Sequence, residues 1–272
     1  MSKYLDFSII LFLSLLLISC FKHKMIEKYD NGTIKLKCKI KNGIRDGECL
    51  EYYPSGNLKS KSFWKDNKLE GKSFDYFENG QVKEMTEYQN GLAHGADLTY
   101  SQDGKISEIG QFYRGKAIGY FARYHQYHLY HIRQYTIVND ESIVNQYWGF
   151  DNCGNLDKSY SKFFSLGADK TDTLKLDEDV TIIIKMDAPY FINGGMKLII
   201  GNYNDFYVLK DSLNVDTIVC KDFYGEYRTK FQKLGKNYIR GIVRNYLDTI
   251  ENNQHIIYAQ DMYFEKRFIV KK

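Results

Sequence analysis

Apolar residues and glycines recur along the first half of the chain with a period of 24 residues. Two glycine columns, one tyrosine column and two apolar columns each hold four members at this spacing. The members are Gly32, Gly56, Gly80 and Gly104; Gly47, Gly71, Gly95 and Gly119; Tyr52, Tyr76, Tyr100 and Tyr124; Ile34, Leu58, Val82 and Ile106; and Ile40, Trp64, Tyr88 and Phe112. Such columns in one phase predict an array of four structural repeats.

Each repeat has the pattern of a β-hairpin. In the second repeat, a turn at 54–57 leads into a strand to Lys65, and a second turn ends at Gly71 before another strand. Asn67 replaces the glycine of this turn in the other repeats, because asparagine tolerates the left-handed backbone region. We therefore expect residues 29–125 to form a single-layer ribbon, with the apolar columns and Leu50 on one face and polar side chains on the other.

The repeats resemble a known family. Residues 51–59 (EYYPSGNLK) and 76–83 (YFENGQVK), each followed by a second glycine-containing turn, are similar to the bacterial variant of the MORN repeat. They are also similar to proteins labelled YwqK-type antitoxins. The MORN resemblance implies a scaffold or interaction surface, and the antitoxin label implies a toxin partner.

The repeat pattern weakens after residue 125. Residues 126–166 are typical of a degenerate repeat and connector, because 150–156 (FDNCGNL) repeats the turn of the second repeat two residues out of phase. Beyond Gly167 the period disappears, and short strand candidates such as 206–209 and 238–246 alternate with turns. About eight or nine such strands predict a β-sandwich over 167–272, with an immunoglobulin-like topology as one option. The predicted fold class is all-β.

The N-terminus carries an apolar run at residues 7–18. Twelve residues are too few to span about 30 Å of hydrocarbon at about 1.5 Å per helical residue. A small residue before Cys20 resembles the bacterial lipoprotein signal, whose cysteine is acylated. The resemblance implies a signal peptide over 1–19, a tether over 20–28 and a membrane partner through lipid on Cys20. In some bacterial lipoproteins, acidic residues after the cysteine help send the protein to the cell surface. Residues 21–24 (FKHK) lack such residues, so the resemblance favours a periplasm-facing position in the cell envelope.

Four further cysteines, Cys38, Cys49, Cys153 and Cys220, allow disulfides in an exported protein. Their spacing does not decide the pairing. We expect Cys38 to lie on the same face as the apolar columns and Leu50. Side chains alternate between faces along a strand, so Cys49, next to Leu50, would then lie on the opposite face. The sequence therefore disfavours a Cys38–Cys49 bridge unless a bulge intervenes.

Composition and motifs narrow the function. The net charge is only +4, and basic and acidic residues are interspersed along the chain, so the sequence does not predict a nucleic-acid-binding surface. The 43% of hydrophobic residues exclude a largely disordered chain. Known catalytic and phosphate-binding motifs are absent, so we predict no catalytic residue and no cofactor. We also predict no metal site: on one strand His125 and His131 lie about 20 Å apart. The acidic residues within 169–179 lack EF-hand spacing and are typical of a solvated turn.

Aromatic residues are the leading candidates for binding. Tyr53, Phe63, Phe77 and Tyr113 have the opposite parity to the apolar columns, so we expect them on the polar face as contacts for a protein or glycan. Ordinary cross-strand packing is an equal alternative. The sequence thus predicts a membrane-anchored, non-catalytic lipoprotein that binds an envelope protein or glycan. The alternatives are an antitoxin-like or immunity protein and an envelope enzyme with its site in the sandwich.

Overall fold

The structure is a computed structural model that describes residues 23–211 and 213–272. All regular secondary structure in these residues is β-strand, which confirms the all-β prediction. Among them there is accordingly no helix long and apolar enough to cross a membrane. The chain divides into two compact units, residues 1–106 and 107–272. The predicted signal peptide and Cys20 lie outside the described residues.

Unit 1 contains one antiparallel sheet of hairpin strands. Its strands are β1 (His23–Lys28), β2 (Ile34–Lys41), β3 (Ile44–Tyr52), β4 (Leu58–Lys65), β5 (Lys68–Leu69), β6 (Gly71–Tyr76), β7 (Val82–Gln89) and β8 (Leu92–Tyr100). They lie side by side in the order β1-β2-β3-β4-β6-β7-β8, with the short β5 next to β4. Residues 23–28 of the expected tether form β1, which pairs with β2.

Two kinds of turn alternate with the repeat period. In the first kind, the N–H of Tyr53 donates to the carbonyl of Asn57 and that of Gly56 to the carbonyl of Tyr53. The same pair of bonds recurs at 29–33, 77–81 and 101–105. The second kind places two consecutive residues in the left-handed region, as type I′ hairpin turns require. Asn67 has a φ of 61° in this turn, as its substitution for glycine predicts.

Leu50 lies on the opposite face of the sheet from Ile40 and Trp64, so the prediction that they share one face was wrong. The two-residue turn at 42–43 places Ile40 opposite Arg45, and even-numbered residues of β2 therefore share a face with odd-numbered residues of β3. Leu50 lies on the other face, directly opposite Lys37. Direct cross-strand partners share a face, so register rather than hydrophobicity decides which side chains meet.

Cys38 and Cys49 form a disulfide, contrary to the sequence-based expectation. A register shift between Cys38 and Ile40 makes the two cysteines direct cross-strand partners, with their Cα atoms 4.1 Å apart. Both side chains are buried. Two repeats further on, Thr86 and Asp97 occupy the equivalent positions, and the Thr86 hydroxyl donates to the Asp97 carboxylate at 2.7 Å. This position of the repeat thus links neighbouring strands through their side chains.

Unit 2 combines further hairpin strands with a second sheet. The remaining strands are β9 (Ile106–Tyr113), β10 (Lys116–Ala117), β11 (Gly119–His125), β12 (His128–Val138), β13 (Glu141–Phe150), β14 (Leu156–Ala168), β15 (Thr173–Lys175), β16 (Asp179–Ala188), β17 (Gly195–Gly201), β18 (Val215–Cys220), β19 (Tyr224–Lys230), β20 (Gly235–Glu251) and β21 (Gln254–Lys271). One sheet has the order β9-β11-β12-β13-β14-β16-β19, with β10 beside β9, and the other has β15-β21-β20-β17-β18.

The two sheets of unit 2 enclose the main hydrophobic core. Ile182 and Ile184 on β16 pack towards Leu198, Val243 and the other buried residues of the second sheet. The buried members are Phe164, Leu174, Val180, Ile182, Ile184, Met186, Met196, Leu198, Ile200, Ile239, Val243, Met262, Phe264, Phe268 and Val270. Two sheets packed on apolar side chains form the predicted sandwich.

The hairpin pattern continues beyond residue 125. Two-residue turns at 126–127 and 139–140 join β11 to β12 and β12 to β13. In the turn 151–155, the N–H of Asp151 donates to the carbonyl of Asn155 and that of Gly154 to the carbonyl of Asp151. These are the bonds of the first turn type in unit 1, so the predicted repetition of that turn at 150–156 is confirmed.

Candidate functional site

Three of the predicted aromatic residues lie in unit 1 and have different surroundings. The ring of Phe63 is 42% exposed, and the Lys61 ammonium lies 5.6 Å from its centroid. Tyr53 is half-buried, and its hydroxyl donates to the Tyr76 carbonyl at 2.7 Å. Phe77, half-buried, takes the equivalent position one repeat later. Tyr53 thus connects neighbouring repeats, whereas Phe63 presents its ring to solvent.

Tyr113, the fourth predicted residue, lies in unit 2. It is partly exposed at the end of β9. The guanidinium of Arg114 lies 5.4 Å from the centre of its ring. Phe63 and Tyr113 therefore have the same local form, an exposed ring beside a cation. Each pairing places an aromatic ring next to a positive charge.

A cup on the opposite face of β4 was not predicted. Trp64 packs under the Arg45 guanidinium, which lies 4.7 Å from its ring, and its indole N–H donates to the Ser62 hydroxyl at 2.9 Å. The Cys38–Cys49 disulfide lines the same cavity of about 360 Å³. We call it the Trp64 cup. Unit 1 therefore carries an aromatic ring with a neighbouring cation on each face of one strand.

A cleft of about 380 Å³ in unit 2 is lined by seven aromatic side chains, including Tyr120, Trp148, Tyr207 and Tyr263. Tyr120 comes from β11, Trp148 from β13, Tyr207 from the loop after β17, and Tyr263 from β21. The Tyr120 and Trp148 ring centroids are 6.0 Å apart, and those of Tyr207 and Tyr263 are 5.0 Å apart. We call this site the aromatic cleft. Its rings come from segments far apart in the sequence, and sequence reasoning missed it.

Buried amides hold the floor of the aromatic cleft. Asn145, 2% exposed, donates to the Tyr263 carbonyl at 2.7 Å and accepts from the Tyr263 N–H at 2.6 Å. Its amide also donates to Gln134 at 2.9 Å, and Gln134 donates to the Tyr120 hydroxyl at 3.2 Å. Because β13 and β21 belong to different sheets, Asn145 joins the sheets directly beneath the rings. The amide network fixes the positions of Tyr120 and Tyr263.

Tyr207 reaches the cleft through a strained turn. Its φ is 55°, in the left-handed region, which is costly for a tyrosine. The Asn204 carboxamide oxygen stabilises the turn by accepting from the N–H groups of Phe206 and Val208, at 2.8 and 2.9 Å. Residues 206–209 therefore form a turn, and the predicted strand there was wrong. Burial raises the pKa of the Tyr207 hydroxyl, so the group stays protonated and able to donate.

The histidine segment forms a hairpin, so treating residues 125–131 as one strand was wrong. Gln126 and Tyr127 have φ values of 45° and 72°, and they turn the chain so that His125 pairs with His128. His131 is buried further along β12, opposite Arg123. Within the described residues, no group of three or more His, Cys, Asp or Glu side chains is arranged to hold a metal ion.

His131 should make stability depend on pH. Burial, and then the charges of Arg133 and Arg123, lower its pKa below the ordinary 6.5. The unfolded chain then takes up a proton near pH 6.5 that the folded chain refuses, so the free energy of unfolding falls as the pH drops below this value. Urea unfolding between about pH 7.5 and 5.5 should show this fall, and His131→Phe should reduce it.

His125→Phe is the matched control, because His125 is exposed. It should keep the pH dependence of the wild type. If the free energy of unfolding of His131→Phe falls with decreasing pH as steeply as that of the wild type, another group causes the acid sensitivity.

The fold and its 24-residue period define an all-β hairpin-repeat protein. Residues 45–66 and 69–90 match the family model for the MORN repeat variant. The two matches begin one repeat period apart, and both lie in unit 1. Residues 45–90 of unit 1 therefore contain MORN-variant repeats, and the predicted resemblance of these repeats to the MORN variant is confirmed. Comparison with curated proteins and with solved structures gave no match.

Proposed function

We propose that this protein is a non-catalytic binding module of the bacterial cell envelope, anchored by lipid on Cys20 and facing the periplasm, which binds an envelope protein or a glycan. The observation that carries the binding role is the exposed Phe63 ring beside Lys61 on an open sheet. Aromatic residues with neighbouring polar groups are enriched where proteins contact their partners.

The surfaces of unit 1 support this role. Phe63 with Lys61 lies on one face of β4, and Trp64 with Arg45 lies on the other. Aromatic rings and arginines supply much of the energy at protein interfaces, because they bury large areas at a small entropy cost. A repeat sheet also presents its side chains in a regular, extended row.

The disulfide supports the proposed compartment. Cys38 and Cys49 are bonded and buried, and disulfides persist in oxidising surroundings such as the bacterial periplasm. The anchor itself rests on the resemblance of residues 7–20 to a lipoprotein signal. Acyl chains on Cys20 would contribute about 0.8 kcal/mol of membrane affinity for each buried methylene, so two or more chains hold a protein firmly.

Replacing Phe63 by serine should abolish partner binding and leave the fold intact. The ring is exposed, so its loss removes contact area without opening a core cavity, and a hot-spot aromatic contributes about 2 kcal/mol or more to binding. The measurement compares capture from detergent-solubilised native membranes by tagged wild-type and Phe63→Ser proteins. We expect at least about a tenfold loss of captured partner at an unchanged unfolding midpoint.

Tyr160→Ser provides the control, because Tyr160 on β14 is 73% exposed and lies outside the predicted surface. It should capture partner like the wild type. Equal capture by all three proteins would remove Phe63 from the binding surface. A lowered midpoint in Phe63→Ser would assign the ring a packing role instead.

A further inference from the structure

We infer, resting on the proposed binding role, that the aromatic cleft of unit 2 binds a neutral oligosaccharide. The cleft is lined by Tyr120, Trp148, Tyr207 and Tyr263, and its volume of about 380 Å³ lies within the range of small-molecule sites, roughly 300–1,000 Å³. The inference adds a second surface to the exposed aromatics and names the class of its ligand.

The composition of the wall suits a sugar. A pyranose ring has an apolar C–H face and a polar edge, so it needs a flat apolar surface with hydrogen-bonding groups at the rim. Tyrosine and tryptophan provide both, since each has an apolar ring and a polar N–H or O–H. Tyr120 is 59% exposed at the mouth, and its ring lies 6.0 Å from Trp148. These two rings form an accessible platform.

The charged groups around the cleft favour a neutral ligand. Among the described residues that line the cleft, Glu265 is the one with an ionised side chain. Arg240 donates to its carboxylate at 2.6 Å, and the Arg240 side chain is itself largely buried. Arg240 also donates to the Asp205 carboxylate at 2.6 Å, so Glu265 is held by a guanidinium that it shares with Asp205. An anionic ligand would find no cationic side chain among the described lining residues, and a cationic ligand would have to compete with Arg240 for Glu265.

The cleft is organised before any ligand arrives. Asn145 ties Tyr263 through two backbone hydrogen bonds, and Gln134 holds the Tyr120 hydroxyl. Tyr207 is kept in its left-handed conformation by Asn204 and lies 5.0 Å from the Tyr263 ring. Strained residues persist where the surroundings determine them, and such residues cluster at functional sites. A rigid cleft loses little entropy when it binds a ligand.

The fluorescence of Trp148 provides the test. The chain has two tryptophans, so a full-length Trp64→Phe protein reports on Trp148 alone. It is titrated with cellotetraose, N-acetylated chitotetraose and maltotetraose as neutral probes, and with choline and trigalacturonate as charged ones. We expect a saturable change with at least one neutral probe and none with the charged probes.

Two substitutions in the same protein locate the binding. Tyr120→Ala removes an exposed platform ring and should weaken affinity about tenfold, with the unfolding midpoint unchanged. Tyr160→Ala removes a ring that is still more exposed than Tyr120, elsewhere in unit 2, and should leave affinity unchanged.

Several results would overturn the inference: no response to any neutral probe, equal binding of a charged probe, or an affinity that Tyr120→Ala does not alter. A change in Trp148 fluorescence on adding a peptide from a captured protein partner, with no change on adding any sugar, would assign the cleft to protein recognition. Failure here is separable from failure of the proposed function, because partner capture through Phe63 is measured independently. If capture persists while the neutral probes fail, only the cleft assignment is lost.

Discussion

Replacement of Asn245 by alanine should lower the free energy of unfolding by about 3 kcal/mol. Asn245 is fully buried on β20 and bonds three backbone groups of Phe191 and of Gly195, the first residue of β17. Its oxygen accepts from the Phe191 N–H at 2.7 Å, and its amide donates to the carbonyls of Gly195 and Phe191 at 3.0 and 3.4 Å. Alanine removes the side-chain partner of the Phe191 N–H and of the Gly195 carbonyl, at about 1.5 kcal/mol for each, whereas the Phe191 carbonyl still accepts from the Gly194 N–H. Denaturant unfolding of the full chain measures the loss.

Asn237→Ala is the matched control on the same strand. The Asn237 amide also donates to two carbonyls, those of Lys233 and Gly235, but it lies at an exposed end where water can replace it. We expect a loss below about 1 kcal/mol. Equal effects of the two substitutions would contradict the role of burial at Asn245.

The second large effect is expected from the disulfide. A Cys38→Ser, Cys49→Ser protein should lose about 3 kcal/mol of stability, because the crosslink closes an 11-residue separation and restricts the unfolded chain. Serine should fit sterically, since Ser62 and Ser73 take the equivalent positions one repeat later. Urea unfolding of the oxidised wild type and the double variant gives the difference.

Reduction should reproduce the effect. Dithiothreitol should destabilise the wild type to the level of the double variant and leave that variant unchanged. Cys153→Ser, at an exposed free cysteine, should behave like the wild type in both conditions. A reduced wild type with an unchanged midpoint would contradict a stabilising crosslink in unit 1.

The repeat architecture could be predicted because its signals are local. Each turn depends on residues close in sequence, such as Asn67 in a left-handed conformation and Gly56 at its hydrogen-bonded turn. Because the repeats have a fixed period, a turn that is predicted correctly in one repeat predicts the same turn in the others. The same locality explains why the turn at 151–155 was recognised although it lies out of phase.

Predicting which face of the sheet a side chain lies on requires the register of strand pairing, and the hydrophobic pattern alone does not specify that register. Leu50 is apolar but lies opposite Lys37, because the ribbon is one layer thick and both faces contact solvent in part. Because the sheet has no single buried face, its apolar side chains need not all lie on the same face. The same error of facing produced the incorrect expectation for Cys38 and Cys49.

The aromatic cleft could not be predicted from sequence. Tyr120 and Tyr263 are more than a hundred residues apart, and they meet through the pairing of β13 with β14 and the packing of the two sheets. Tyr207 was expected in a strand, because its neighbours are apolar, yet Asn204 turns the chain there. The exposure of Phe63 could be predicted because it depends on strand parity alone.

The mass of the native particle tests the proposed binding role most directly. The tagged full-length protein is purified in mild detergent from its own membranes and measured by light scattering, beside a Cys20→Ala form as the unanchored control. The account predicts that the wild-type particle exceeds the mass of protein and detergent by a bound envelope protein or glycan, retained at high salt. A particle containing only this chain would contradict the account, and a tight complex with a soluble toxin would replace it with the immunity alternative.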